Sequence, residues 1–565
     1  MPLSPWGEWR PDTSDYESTT ATYSISNVIP RGDGYGPMPS FAAATLALPA
    51  ACRGAFYALK SDGSVQVFAG TSVGLYRLDN TTLGWVPVSR VANCTISNAS
   101  PAVVTVTNTF VANQPVVFST TGALPTGLTA GTIYYVSATG LSGSSFSVSA
   151  TAGGARINTS SAGSGTHSVT SNYSALSSNA NWQFAQFGNL VKATQANEVL
   201  QTYDLSSATA FSNNAGSPPQ AAYISVVGRF LVLSGLLSNP YRIQWSALND
   251  TTGWTSGVSS SDFQDFPDGG IVRGVAGGEF GIVFQDQAMR RMSYIPGSPL
   301  IFQIERITQD MGLFAPYSII RSGSTTYFHS NKGFYKIDPG GVPVQIGRER
   351  IDRTFLADLD KTQLQLFQGA ADPRGTLIYW AYKSGAGSTG LYDKILGYDT
   401  ALDRFFTLSV TGEYLLGISQ AGLTLENLDT ISSSIDALTL TLDAYATSVQ
   451  PQIAQFDSSH KQGFFTGPNL EATFIGSEQG TDGDVIYTRG FRPITDAVTV
   501  YGSLSSRMTQ QATSVNTAEQ LINSRTGTIN IRKEARYMRL KIRIPSQIWT
   551  FCAGVEPDFD PAGKT

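Results

Sequence analysis

One short pattern recurs along the chain: an aromatic residue, a polar turn, then a second aromatic seven to nine residues on. Tyr76-Arg77-Leu78-Asp79 leads to Trp85, Tyr203-Asp204-Leu205 to Phe211, Trp245-Ser246 to Trp254, and Tyr398-Asp399 to Phe405. Each copy reads as one β-hairpin, and an internal repeat of this kind constrains the architecture more than any single residue does.

The spacing predicts a β-propeller, whose four-stranded blades recur at about 40 to 50 residues. Blade starts at Trp182, Ala222, Gly270, Pro316, Leu366 and Tyr414 give intervals of 40, 48, 46, 50 and 48 residues. The unit beginning near Ala55 is too far from Trp182, but removing the low-complexity stretch Val91 to Asn172 brings its interval to 45 residues. That stretch is therefore expected to be an inserted domain. Within the units, Val65, Val67 and Ala69 alternate with Gln66 and Phe68, and Phe230-Leu231-Val232-Leu233 reads as a fully buried inner strand. Gly188-Asn189 and Gly228-Arg229 supply turns, because Gly and Asn accept positive φ. Helical periodicity is confined to Leu425 to Tyr445, where short helical turns are expected.

The expected fold is all-β: a propeller of about six to seven blades, an inserted small β-sandwich and a C-terminal β domain. The domain boundaries that follow are 1–54 for an N-terminal arm and docking segment, 55–90 with 173–450 for the propeller, 91–172 for the insert and 451–565 for the C-terminal domain. At 565 residues the chain is long enough for several cores. Only 14% of residues are charged and 56 are glycine, which suits tightly turned β structure. A formal charge of −5 creates no net attraction to nucleic acid or an anionic membrane. Cys52, Cys94 and Cys552 are few and far apart, so a disulfide framework is not expected and assembly in a reducing cytoplasm is. Neither a signal peptide nor a membrane span is predicted.

Within the insert, Val103 to Thr107, Pro115 to Phe118, Ile133 to Val136 and Ser145 to Val148 read as four short strands in a Ser/Thr/Gly matrix. The turn Thr126-Gly127-Leu128-Thr129-Ala130-Gly131-Thr132 resembles a decoration module of phage tail and fibre proteins. That resemblance implies a carbohydrate or fibre contact, with passive decoration as the plainer alternative.

Catalytic signals are thin. His167, His329 and His460 lie at no metal-ligand spacing, so no zinc site and no cofactor is expected. Gly32-Asp33-Gly34-Tyr35-Gly36-Pro37 is a turn cluster, not a phosphate cradle. The densest acidic cluster is Asp262, Asp265 and Asp268, for which calcium binding or acid/base chemistry competes with the preferred reading of a polar interblade loop. Asp250-Thr251-Thr252-Gly253-Trp254-Thr255 is similar to a sialidase Asp box but lacks its opening serine and its spacing.

Near the C-terminus, Met538, Leu540, Ile542 and Ile544 alternate with Arg539, Lys541 and Arg543. The basic face is a candidate contact for DNA phosphates or an acidic partner. The preferred alternative is an edge strand that its cations protect from aggregation.

Three further stretches carry a resemblance. Trp6-Gly7-Glu8-Trp9-Arg10-Pro11-Asp12, Asn27-Val28-Ile29-Pro30-Arg31 with Gly34 to Pro39, and Trp182-Gln183-Phe184-Ala185-Gln186-Phe187-Gly188-Asn189 resemble tail proteins of short-tailed bacteriophages. The family is the tail nozzle, or tail tubular protein B, with related hub and packaged-DNA stabilisation proteins. The likeness runs through Gly228-Arg229-Phe230 to Trp549-Thr550-Phe551 and Gly554-Val555, so it covers most of the chain outside the insert. It implies a non-enzymatic virion protein, assembled in the host cytoplasm into a homohexameric ring below the head–tail adaptor. Such a ring would retain packaged DNA, form the channel for its ejection without sequence-specific binding, and meet tail fibres or a tail needle. Trp6, Trp9 and Arg10 are then candidates for docking on the adaptor, against the equal alternative of a strand tucked on the chain's own propeller. The alternative function is a receptor-binding or glycan-degrading tail protein built on a propeller.

Overall fold

A computed structural model describes residues 3–14, 22–298, 300–420, 450–480 and 484–564. The helical turns expected from Leu425 to Tyr445 lie outside the described residues.

The hairpin repeat builds seven four-stranded antiparallel sheets among the described residues. Blade 1 spans Ala55–Leu59 to Trp85–Pro87, and blade 2 spans Gln183–Phe187 to Ser212–Asn213. Blades 3 to 6 begin at Ala221–Val227, Val272–Ala276, Ile320–Ser322 and Gln368–Ala371. Blade 7 takes three strands from Tyr414–Gln420, Gln450–Phe456 and Lys461–Phe464, and its fourth, Ala42–Ala47, from the beginning of the chain. The protein is a seven-bladed β-propeller closed by its own N-terminal region.

The recurring aromatic pairs flank the turn from the third strand of a blade to the fourth. Leu78 faces Trp85 across blade 1, and Tyr398 faces Phe405 across blade 6. An aspartate at the turn accepts the amide two residues on, at 2.9 Å for Asp79 to Thr81, 2.9 Å for Asp204 to Ser206, 2.8 Å for Asp250 to Thr252 and 2.9 Å for Asp399 to Ala401. That bond supplies the turn locally and leaves the flanking aromatics free to pack. Trp85 touches Phe456 of blade 7 with ring centroids 5.6 Å apart, and its indole N–H donates to the Leu46 carbonyl at 3.0 Å. Trp245 likewise meets Phe302 of blade 4. Gly188 and Gly228 close the turns between first and second strands with φ of 58° and 56°, a region that costs a residue with a Cβ.

Phe230–Leu236 is buried but is not the innermost strand. It is second in its blade, and the first strands face the axis, where two cavities of about 260 and 510 Å³ are bounded by Tyr223, Arg321, Gln368 and Tyr414, and by Tyr57, Arg321 and Tyr414. An apolar run marks the strand covered on both faces, and in a blade that is the second one.

The insert is a seven-stranded antiparallel sheet folded around its own core, in which Phe110 meets Phe146 and Phe118 meets Tyr134. The strands Val91–Ile96 and His167–Thr170 pair with each other, Val91 facing Thr170, and form its base on blade 1.

Beyond blade 7, two sheets face each other, and both use strands from each end of the chain. One has Ser4–Pro5, Val28–Arg31 and Gly34–Pro37 with Asp484–Thr495, Ile529–Ala535 and Cys552–Lys564. The other has Thr22–Ser26 with Ala472–Gly476, Tyr501–Arg507 and Tyr537–Ile544. The expected separate arm over 1–54 instead supplies four strands of this sandwich and the closing strand of blade 7, and blade 7 itself extends to Phe464, past the expected boundary at 450. Pairings between residues more than four hundred positions apart leave no local trace in a sequence. The sandwich rests on blade 6 through Asn27, which donates its amide to Thr407 O at 2.9 Å and accepts the Ser409 amide on Oδ1 at 2.7 Å.

The closing seam predicts a mutational outcome. A Cβ on Gly463 meets the backbone of Ala42 and Ala43, whereas one on Gly375 meets nothing. Gly463→Val should destabilise the propeller by about 1–3 kcal/mol, the cost of forcing atoms into a packed site, while Gly375→Ala stays within about 0.5 kcal/mol of the parent. Thermal unfolding of both variants checks this.

Candidate functional site

The acidic cluster does not converge on one point. Asp265 takes both oxygens to Arg242, at 2.6 and 2.7 Å, on the outer strand Asp262–Asp265 of blade 3, and the Arg242 hydrogen bond holds its carboxyl below the usual range. Asp268 lies between Arg290 and Arg306. Asp262 accepts the Ser256 hydroxyl at 2.5 Å. Each carboxylate thus has a partner of its own, and among the described residues no group of three or more His, Cys, Asp or Glu is placed to hold a metal ion. Asp250 accepts both the amide and the hydroxyl of Thr252, which makes the Asp-box-like stretch a turn.

The basic strand Tyr537–Ile544 is central and not at an edge. It pairs with Tyr501–Arg507 on one side and with Ala472–Gly476 and Gln479–Gly480 on the other. Met538, Leu540, Ile542 and Ile544 are buried, and the cations on the opposite face are engaged within the chain. Arg543 binds Glu519 and Glu471 at 2.8 Å each, Lys541 lies 3.6 Å from Glu519, and the Arg539 guanidinium stacks 3.8 Å over the Tyr23 ring. Arg543 pulls the Glu519 carboxyl below its usual range. A polar face over an apolar one looks the same at an edge or in mid-sheet when the outer face is wet, so the pattern did not separate the two.

Of the three candidate docking residues, two are interior. Trp6 stacks on Phe474 at 5.4 Å and donates its amide to Ala553 O at 2.9 Å, and both Trp6 and Trp9 belong to the sandwich core. Arg10 is exposed, paired with Glu8 at 2.6 Å. Glu8 also binds Arg350, joining the sandwich to the propeller. The aromatic pair is tucked into the sandwich formed by both chain ends and not laid against the propeller or left as a free anchor.

The histidines divide among three environments. His167 bonds the Thr120 hydroxyl at 2.9 Å inside the insert. His460 lies 2.6 Å from Glu413, a buried carboxylate whose other oxygen accepts the Cys52 amide at 2.8 Å. Burial raises the Glu413 carboxyl above its usual range. His329 is fully buried, with neither ring nitrogen hydrogen-bonded, among Phe314, Phe334, Phe355 and Phe367 at ring distances of 4.7 to 5.4 Å. Burial lowers its pKa to about 3. All three cysteines are free and buried, and burial pushes the Cys94 thiol up to about 11. These are poor settings for nucleophilic chemistry.

What the described residues do form is a groove of about 300 Å³ between blade 1, the blade 2 turn and the insert. Lys60 and Arg77 reach into it, and neither has an ion-pair partner among the described residues. Sequence reasoning missed it because its walls come from three separate parts of the chain.

No protein-family model matches this sequence, and no curated protein does. Solved structures with some likeness include a dihydro-heme d1 dehydrogenase, NirN, in complex with DHE, at 11% identity over 77% of this chain and 76% of that one, with a TM-score of 0.29. BamB from Moraxella catarrhalis is similar at 10% identity over 65% of this chain and 96% of that one, with a TM-score of 0.26. The computationally designed Ika8 protein has 8% identity over 75% of this chain and 99% of that one, with a TM-score of 0.32. Likeness at this level carries no functional argument.

Two expectations follow. Trp6→Ala should destabilise the sandwich by about 3–5 kcal/mol, as loss of a buried indole does, and denaturant unfolding followed through the sandwich aromatics reads it. His329 stays neutral when folded, whereas its unfolded pKa is about 6.5, so below that pH only the unfolded chain takes up the proton. Its contribution should erode by about 1.4 kcal/mol per pH unit from about 6.5 down towards 3. His329→Leu should remove that component of the stability–pH curve, measured by urea unfolding across the interval.

Proposed function

We propose that the chain is a structural tail protein of a bacteriophage: a nozzle-type subunit that forms a homohexameric ring with its own copies below the head–tail adaptor, retains packaged DNA and bounds its exit channel. One observation carries this reading. The charged clusters that would serve chemistry or ligand capture, Asp265, Asp268, Lys541 and Arg543, are spent within the chain on ion pairs that stiffen it. A closed propeller buttressed by a sandwich of both chain ends suits a wall. The sequence resemblance supplies which wall it is.

The DNA path in this reading lies between copies and not along a propeller axis. Side chains such as Tyr57, Tyr223, Arg321 and Tyr414 line the cavities between the first strands of the blades. A formal charge of −5 keeps phosphates from being held on the way out. Docking on the adaptor falls to surface groups such as Arg10, since Trp6 and Trp9 are buried. Glycan degradation is the weaker alternative, because Asp265 and Asp268 face separate arginines and Asp262 a serine, and not one cleft.

The purified protein should form rings only with the adaptor or be strongly promoted by it, as seen by negative-stain imaging. Particles lacking it should package DNA and then leak it. Full retention of DNA by such particles would sink the proposal.

A further inference from the structure

The groove beside the insert has the composition of a binding site. Its blade 1 wall presents Lys60, at the turn between the first two strands, and Arg77, on the third strand. Both side chains are half-buried, and among the described residues no carboxylate lies within ion-pairing distance of either. Arg77 has one neutral partner, the Gln66 amide oxygen at 3.3 Å. This is unlike Arg53, Arg90, Arg242 or Arg350, which the fold pairs or hydrogen-bonds heavily.

Two carboxylates of the flanking turns hold their own loops, and Lys60 acts on the first, Asp62, through its charge without an ion pair. Asp62 accepts the Ser64 amide and hydroxyl, and Asp204 accepts the Ser206 amide and hydroxyl together with the Asn189 side chain. The opposite wall, the blade 2 turn, presents the hydroxyl oxygens of Ser206, Ser207 and Thr209; Ser206 and Ser207 donate their protons to Asp204, which leaves their oxygens to accept from sugar hydroxyls. The floor is apolar where Val86 and Pro87 of blade 1 approach Val117 of the insert. Two unpaired cations, a row of hydroxyls and a small apolar floor complement a compact, hydroxyl-rich ring bearing a negative charge. At about 300 Å³ the space takes one or two sugar rings and not a nucleic-acid duplex.

The geometry points to an acidic saccharide as the ligand of this groove: a sugar with a carboxylate or phosphate held by Lys60 and Arg77, its hydroxyls facing Ser206, Ser207 and Thr209. The insert then forms one wall of a site that blades 1 and 2 cannot enclose alone. This inference does not depend on the ring proposed above, and either stands without the other.

The test uses the full chain and four probes: digalacturonate, glucose 6-phosphate, uncharged lactose and inorganic phosphate, titrated by calorimetry or saturation-transfer NMR at low and physiological salt. At least one acidic sugar should bind at least tenfold more tightly than lactose and weaken with salt. The carboxylate and phosphate arms tell which acid is preferred. Lys60→Ala with Arg77→Ala should lose tenfold or more of that binding, and Ser207→Trp, which fills the groove from its exposed rim, should lose it with both cations intact. Unchanged thermal unfolding of the variants keeps the comparison on the folded protein. Binding that survives both variants, equal binding of lactose, equal binding of inorganic phosphate alone, or no binding of either acidic sugar at 10 mM would overturn the assignment.

Discussion

Everything in this molecule depends on the pairing of Ala42–Ala47 with Lys461–Phe464. Six of the seven blades form from consecutive strands and need no distant partner. The seventh needs one, and a ring of blades with an open seam leaves two apolar flanks in water. The pairing therefore turns a row of hairpin sheets into a closed body. Around it the chain adds fastenings of different kinds. The Trp85 indole reaches the Leu46 carbonyl from blade 1, and Leu48 donates its amide to His460 O at 2.9 Å. Glu413 grips the Cys52 amide and His460 together. A buried carboxylate is costly unless its oxygens are satisfied, and here both are occupied by groups on either side of the seam.

The same logic governs the sandwich. Its two sheets each join strands from the beginning of the chain to strands from its end, so the first strands have no partner there without the last. The sandwich and blades 5 and 6 share one continuous core, from Trp6 and Phe474 to Phe334 and Trp380. Asn27 holds the join with two bonds to blade 6, at Thr407 and Ser409, and a third to Glu471 within the sandwich, in a left-handed conformation that Asn tolerates better than most residues. Glu8 and Asp12 add ionic and amide contacts to Arg350, Arg353 and Thr354.

The blades were legible because each is a local device. A tyrosine or tryptophan, an aspartate turn and a second aromatic are all determined within about ten residues, and their period then counts the blades. The expected starts at Trp182, Ala222, Gly270 and Tyr414 fall within two residues of the first strands observed. Pro316 precedes its strand by four residues because a short 3-10 turn, Pro316–Ser318, leads into it. What failed was everything that required a partner. Trp6 and Trp9 suited a docking arm and a tucked strand equally, since nothing near them names Phe474. Arg539, Lys541 and Arg543 read as guards of an edge strand, or as a contact face, since Glu471, Glu519 and Tyr23 are remote in sequence. Lys60 and Arg77 drew no notice because an unpaired cation is defined by what is missing around it.

The closing strand also imposes an order on synthesis. Ala42 leaves the ribosome long before Phe464 exists, and until then the first segment has neither its blade nor its sandwich partner. The six local blades can fold as they emerge, while the earliest strands wait with unsatisfied edges and exposed apolar faces such as Trp6 and Tyr35. Completion is thus a late, long-range event whose loop-closure cost grows only slowly with the length spanned. The stretch at greatest risk of aggregation in that interval is the one ahead of the six local blades.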